Sequence, residues 1–294
     1  MQDVSGADVL GALAAIVGPD HVVTDATERA YVSQDYFRAA AQPVAAVVRP
    51  GSTKELSAVV AAATRAGVAI YPRGAGYSYT DAYLPTRHPA LTIDMSRMAR
   101  IVEINATDMY ATVEAGCPWG TLDQALAPLG LRVPMWGPLS GRTATVGGGV
   151  SQGCVSLGSS KYGTSADSVL GMDVVAADGT VVRTGTAAQA KHAPFFRPYG
   201  PDLTGLFCAD AGALGVKATV TLRLMARPRH IAGASFAFDD FDRTVQGMAA
   251  AARLGVASES LGMSIAALRA AAASAGLLQD LKTLLTIVRS AANP

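Results

Sequence analysis

The chain has 294 residues, half of them hydrophobic, with 24 Lys and Arg against 23 Asp and Glu and a net charge of +1. That balance excludes intrinsic disorder, which needs few apolar residues and a large net charge. It also leaves no electrostatic footprint for nucleic acid. The length suits two domains, or one with an appendage. Cys117, Cys154 and Cys208 lie far apart without a CxxC pair, so neither a disulfide framework nor a zinc site is expected. The start lacks the basic region of a signal peptide, and no apolar run is long enough to cross a membrane. A cytoplasmic protein is expected.

In chain order, residues 5–17 predict an amphipathic helix with Ser5 as N-cap and Val9, Leu10, Leu13 and Ile16 on one face. The apolar run 43–48 predicts a strand. Ser52 followed by Glu55 is a capping-box pattern opening a helix from Thr53 to about Ala66, and 68–71 predicts a second strand. Strand, helix, strand within thirty residues make a βαβ unit and begin a parallel sheet. Strands are next expected at 91–94, 101–104 and 110–114, a helix at 119–129, and strands at 169–175, 181–183 and 218–224. Asp178-Gly179 between two of these is a hairpin signal, so the middle of the chain reads as antiparallel. After Pro228 the composition shifts, with a strand expected at 234–238 and Ala-rich helices at 241–254 and 263–289.

Three glycine-rich segments carry the chemistry. The first, Pro72-Arg73-Gly74-Ala75-Gly76-Tyr77-Ser78, directly follows a strand, where converging backbone N–H groups can hold an anion. It lacks the third glycine and the following helix of a Rossmann fingerprint, and by itself it reads equally as a strand-end turn. The second is Thr145-Val146-Gly147-Gly148-Gly149-Val150-Ser151-Gln152-Gly153. Three successive glycines cost backbone entropy, on the order of 0.5–1 kcal/mol each, which a flat ligand lying on the backbone would offset. Gly158 followed by Ser159-Ser160-Lys161 has the wrong order for a P-loop, which rules out that class of nucleotide hydrolase. The third runs from Tyr199-Gly200-Pro201 to Gly212-Ala213-Leu214-Gly215-Val216-Lys217, and alone it reads as turns leading into a strand.

These segments in this order, together with Lys161-Tyr162-Gly163 to Gly185, resemble the FAD-binding superfamily of vanillyl-alcohol oxidase and p-cresol methylhydroxylase. That superfamily also holds FAD-linked D-lactate dehydrogenases and glycolate oxidase flavin subunits. The resemblance covers about residues 43–228. It implies an α+β, two-subdomain FAD-binding fold: a small βαβ subdomain and a larger antiparallel one. The FAD-binding domain is expected over 1–228. A substrate cap begins in 229–294, where the resemblance reaches only the opening of the family's cap, so a truncated α+β cap is expected.

The resemblance further implies that the backbone of Arg73, Gly74, Ala75, Gly76, Tyr77 and Ser78 cradles the FAD pyrophosphate. Ser140, Thr145, Gly148, Ser151 and Val155 would line the flavin and its ribityl chain, and the main chain of Val216 would hold the adenine. Many relatives link a histidine covalently to the flavin where this chain has Tyr77, and some add a cysteine where it has Thr143. Non-covalent FAD is therefore expected. Relatives often carry glutamate at the place of Ala211. His192 reads as a substrate base or a solvated loop residue, Cys154 as a reactive thiol or a small buried hydrophobe, and Arg73 as a pyrophosphate counter-charge or a surface turn residue. No catalytic residue is assigned.

The implied activity is FAD-dependent oxidation of the alcohol carbon of a small 2-hydroxy acid, of D-lactate or glycolate type. The alternatives are oxidation of a 4-alkylphenol or aryl alcohol, and an inactive flavin-binding fragment. The expected partners are a small-molecule substrate and an electron acceptor (quinone, cytochrome, flavoprotein or oxygen). A homodimer is admitted, and nucleic acid is excluded.

Overall fold

The computed structural model describes residues 6–189, 193–198 and 200–264. It divides into two compact units, Met1–Ala232 and Gly233–Pro294. The first unit opens with α1 (Gly6–Val17), β1 (Val22–Val23), α2 (Ala26–Val32), β2 (Ala46–Val48), α3 (Thr53–Arg65), β3 (Ala69–Arg73) and β4 (Ala90–Asp94). The Ser5 cap expected for α1 lies outside the described residues.

Helix α3 begins as its cap residues dictate. The Ser52 hydroxyl accepts from the Glu55 N–H at 3.1 Å. The Glu55 carboxylate reaches one residue beyond the usual capping box, accepting from the Gly51 N–H at 2.8 Å. Leu56, Val59, Val60 and Ala63, at helical spacing, form its buried face. They pack with Val9, Leu13 and Val17 of α1 over Ala46, Val48, Leu91 and Ile93 of the sheet. That sheet has the order β1-β2-β4-β3. β2, β3 and β4 run parallel, and β1 is an antiparallel edge strand. β1 and α2 carry no strong pattern and were not expected. At two and seven residues they are set by tertiary contact rather than propensity.

The chain continues through β5 (Ile101–Asn105), β6 (Tyr110–Glu114), α4 (Trp119–Leu126), β7 (Leu131–Arg132), α5 (Val146–Ser151), α6 (Ser159–Tyr162), β8 (Val169–Val175) and β9 (Val181–Arg183). Then come α7 (Leu203–Leu206), β10 (Val216–Arg223) and β11 (Met225–Ala226). A five-stranded sheet of order β5-β6-β10-β8-β9 is antiparallel throughout. The β8–β9 hairpin turns at Asp178-Gly179, with Gly179 at φ +88°, and Ser57 of α3 donates to the Gly179 carbonyl. One face of this sheet forms a second core with Trp119, Leu122 and Leu126 of α4 and Val146 and Val150 of α5. Ala115, Val175, Val216 and Ala218, at strand ends, join the first core instead. The FAD-binding fold expected from the resemblance is thus realised as a small, mainly parallel sheet followed by a larger antiparallel one.

The helix expected over 119–129 ends at Leu126 and passes into a 3-10 turn over Ala127–Leu129, where Pro128 prevents continuation. The second glycine segment, which was not expected to be helical, is the short helix α5. In the second unit α8 (Phe241–Leu254) forms as expected, with the Asp240 carboxylate accepting from the Arg243 N–H at 2.7 Å. The strand expected at 234–238 does not form. Those residues pair with no strand and are exposed, so their apolar pattern has no sheet to join. The helix expected at 263–289 falls almost wholly outside the described residues.

Candidate functional site

A cavity of about 610 Å³ lies in the first unit, within the size range of small-molecule and cofactor sites. Its wall gathers every residue singled out as a cofactor contact. Arg73, Gly74, Ala75, Gly76, Tyr77 and Ser78 come from the end of β3 and the loop after it. Ser140 and Thr145 come from the approach to α5, Gly148 and Ser151 from α5, Val155 from beyond it, and Val216 from the start of β10.

The loop after β3 is shaped to receive an anion. Gly76 sits at φ +76°, a conformation that costs an L-residue about 1–2 kcal/mol. A Cβ at Gly76 would overlap the Arg73 guanidinium, and one at Gly74 would overlap the Thr145 hydroxyl. The Tyr83 hydroxyl bonds the carbonyls of Gly76 and Ser78 at 2.9 and 3.1 Å. Among the described residues, no acceptor takes the N–H of Ala75, Gly76, Tyr77 or Ser78. Successive free N–H groups of this kind form an anion-binding concavity.

Arg73 is no surface turn residue, being only 8% exposed. Its guanidinium lies 5.1 Å from the Tyr31 ring centroid and 5.6 Å from that of Tyr83, and its Nε has no partner. A buried cation with an unused donor, beside four free amides, suits a dianionic pyrophosphate. The residues present therefore fit a dinucleotide.

The α5 glycines have separate reasons. A Cβ on Gly147 would stand 2.6 Å from the Ala115 Cβ, and one on Gly149 would stand 2.9 Å from the Trp119 indole nitrogen. Both glycines are thus required by packing. At Gly148 an added Cβ meets only the Thr145 hydroxyl, at 2.9 Å. Thr145 is the N-cap of α5, accepting from the Gly148 N–H at 3.2 Å. The first α5 amides are already used: Val146 donates to Cys117 and Gly147 to Ala115. The helix therefore offers the cavity a close-lying surface rather than hydrogen-bond donors.

A buried ion pair beside the cavity, of which Lys217 lines the wall, had no sequence signal. Lys217 Nζ donates to Asp210 Oδ1 at 2.6 Å, with both side chains only 2% exposed. Burial pulls the Lys217 ammonium below the usual lysine range, against the opposing pull of Asp210. Asp210 also accepts from the Gly212 N–H at 2.9 Å. Ala209 and Ala211, both at φ +53°, donate their N–H groups to the Val150 and Ser151 carbonyls of α5. The ion pair thus ties this loop to the start of β10, the two N–H bonds tie it to α5, and Ala211 and Gly212 of the loop line the cavity.

Cys154 lines the cavity, and burial pushes its thiol above the ordinary range, so it is a poor nucleophile. Thr143 donates to the Tyr77 hydroxyl at 2.8 Å. His192 and Tyr199 lie outside the described residues. Among the described residues, no group of His, Cys, Asp and Glu could hold a metal ion, and no helix is long and apolar enough to cross a membrane.

Comparison with known proteins places this architecture. Residues 44–185 match the model of an FAD-binding domain family. The chain is 30% identical over 195 residues to the mitochondrial D-lactate dehydrogenase [cytochrome] 1 of Saccharomyces cerevisiae, covering 66% of this chain and 32% of that protein. It is 30% identical over 221 residues to the glycolate oxidase subunit GlcD of Bacillus subtilis, covering 75% and 45%. It thus spans less than half of the length of these relatives. Among solved structures it shares its fold with p-cresol methylhydroxylase, at TM-score 0.67 and 21% identity over 76% of this chain and 44% of that one. Over residues 44–185 the chain is thus similar to an FAD-binding domain, in a fold that p-cresol methylhydroxylase shares.

Proposed function

We propose that this chain is the flavin-holding part of an FAD-dependent oxidoreductase that oxidises the alcohol carbon of a small 2-hydroxy acid, with FAD bound non-covalently. One observation carries the reading: Ala75 to Ser78, whose N–H groups have no acceptor among the described residues, the buried Arg73 and Gly148 all line one cavity. In this reading the residues expected at the cofactor keep the roles inferred for them. The 75–78 amides and Arg73 hold the pyrophosphate, and Ser140, Thr145, Gly148, Ser151 and Val155 lie along the flavin and ribityl chain. The Val216 main chain meets the adenine. Bound FAD supplies the two-electron acceptor for a hydride leaving the carbon that bears the hydroxyl.

The protein's part is to fix position and shut out water. The Asp210–Lys217 pair holds the segment that brings Ala211 and Gly212 to the cavity, and the apolar cavity lining strengthens the electrostatic hold on the phosphates. The 2-hydroxy acid is taken from the named activities of the D-lactate dehydrogenase and glycolate oxidase relatives. Tyr77 and Tyr79 in the cavity wall, with Phe37 edge-on to Tyr79 at 6.0 Å, favour an aryl alcohol as the second reading. Neither Tyr77 nor Thr143 offers the nitrogen or sulfur of a covalent flavin link. An unlinked flavin suits transfer to a quinone, cytochrome or flavoprotein better than to oxygen. The proposed compartment is the cytoplasm, and a homodimer is compatible with the reading.

The test is anaerobic mixing of the FAD-loaded chain with D-lactate, glycolate or 4-cresol, following loss of the flavin's visible band. Bleaching by a 2-hydroxy acid supports the proposal, and bleaching by 4-cresol alone selects the second reading. A flavin that dithionite reduces but no substrate does would mark a chain that binds flavin without turning over by itself.

A further inference from the structure

Two exposed side-chain bridges cross between segments of the cavity lining: Thr80 Oγ1 donates to Gln152 Oε1 at 3.0 Å, and the second is at Tyr77. Tyr77 belongs to the loop after β3, one residue beyond the left-handed Gly76. Thr143 belongs to the turn closed by its own N–H and that of Ala144 on the Ser140 carbonyl, at 3.1 and 2.9 Å. Tyr77, Ser140 and Ala144 all line the cavity. Thr143 Oγ1 donates to Tyr77 Oη at 2.8 Å, so the bond joins two cavity walls that are 66 residues apart in sequence. Tyr77 is 49% exposed and Thr143 is exposed, so neither hydroxyl is held there by burial. With a lone pair engaged by Thr143, the Tyr77 hydroxyl keeps its own proton for an acceptor in the cavity.

We propose that Tyr77 and Thr143 form a clasp across the cavity that retains the cofactor, with Thr143 the positioning residue and Tyr77 the side chain it holds in place. This rests on the reading that FAD occupies the cavity without a covalent bond. A non-covalent ligand leaves by parting the segments around it, and a bond between those segments must break first. A neutral, partly exposed hydrogen bond is modest, and its loss is worth about three- to tenfold in release rate. Because the bond is exposed, breaking it leaves the empty protein as stable as before.

The experiment measures FAD release from the loaded full chain on dilution, by recovery of free-flavin fluorescence, with thermal melting of the apo forms in parallel. Tyr77→Phe and Thr143→Val should each speed release about three- to tenfold. The double variant should be no faster than the faster single one, because both remove the same bond. Thr143→Ser should restore slow release, and all apo melting curves should coincide. Release that is unchanged in both single variants, or rates that multiply in the double variant, would overturn the clasp while leaving FAD binding intact. Loss of apo stability in step with faster release would show a structural contact instead. A wild-type chain that retains no FAD, or holds it covalently, would overturn the functional reading and the clasp together.

Discussion

The three glycines of α5 give a perturbation that separates folding from cofactor binding. At Gly147 an added Cβ would stand 2.6 Å from the Ala115 Cβ and 2.8 Å from the Ala115 carbonyl oxygen. Helix and strand end must move apart by several tenths of an ångström, an overpacking that costs about 1–3 kcal/mol. That is a large part of a stability on the order of 5–15 kcal/mol. At Gly148 the only neighbour is the Thr145 hydroxyl at 2.9 Å. Replacing a helical glycine gains a few tenths to about 1 kcal/mol of intrinsic propensity, which offsets a weakened Thr145 cap of about 1 kcal/mol. Gly148→Val should therefore leave apo stability within about 1 kcal/mol of the wild type while filling the space FAD needs. Gly147→Ala should destabilise the apo protein but, once folded, still bind FAD. Urea unfolding of the apo forms and FAD titration by fluorescence quenching read the two effects separately. The reasoning fails if Gly148→Val unfolds the apo protein as much as Gly147→Ala, or binds FAD as the wild type does.

Gly76→Ala should weaken FAD binding at least tenfold, because a residue at φ +76° meets about 1–2 kcal/mol of strain and its Cβ would displace the Arg73 guanidinium; equilibrium titration checks this. Lys217→Met leaves Asp210 buried and unpaired, and chemical denaturation should show a loss of about 3–5 kcal/mol. Adding Asp210→Asn should recover part of that loss, since the buried charge goes too. The three cysteines should react slowly with a thiol reagent at neutral pH in the native state: burial pushes the Cys117 thiol up to about 11 and raises those of Cys154 and Cys208. Cys154 lines the cavity, so added FAD should slow its modification further.

Where local chemistry decides the structure, the sequence was sufficient. Ser52 and Glu55 mark the start of α3, its apolar face follows at helical spacing, and Asp178-Gly179 turns the β8–β9 hairpin. The segments lining the cavity were legible because tight turns and close approaches admit few residues besides glycine. The reasons for individual glycines were not legible. Gly147 and Gly149 answer to Ala115 and Trp119, which lie thirty or so residues upstream and reach α5 only in the folded chain. The Asp210–Lys217 pair was invisible for a similar reason, since a charge seven residues from its partner carries no sign that both will be buried. The strand expected at 234–238 shows the converse: an apolar run of strand composition stays irregular when no neighbouring strand accepts its backbone hydrogen bonds.

The measurement that bears most directly on the account is reconstitution of the purified chain with FAD, followed by acid precipitation. The account predicts a yellow protein with one FAD per chain, colour that passes wholly into the supernatant on denaturation, and a denatured mass equal to the sequence alone. A chain that takes up no FAD would contradict the assignment of the cavity, and a mass raised by that of FAD would contradict its non-covalent hold.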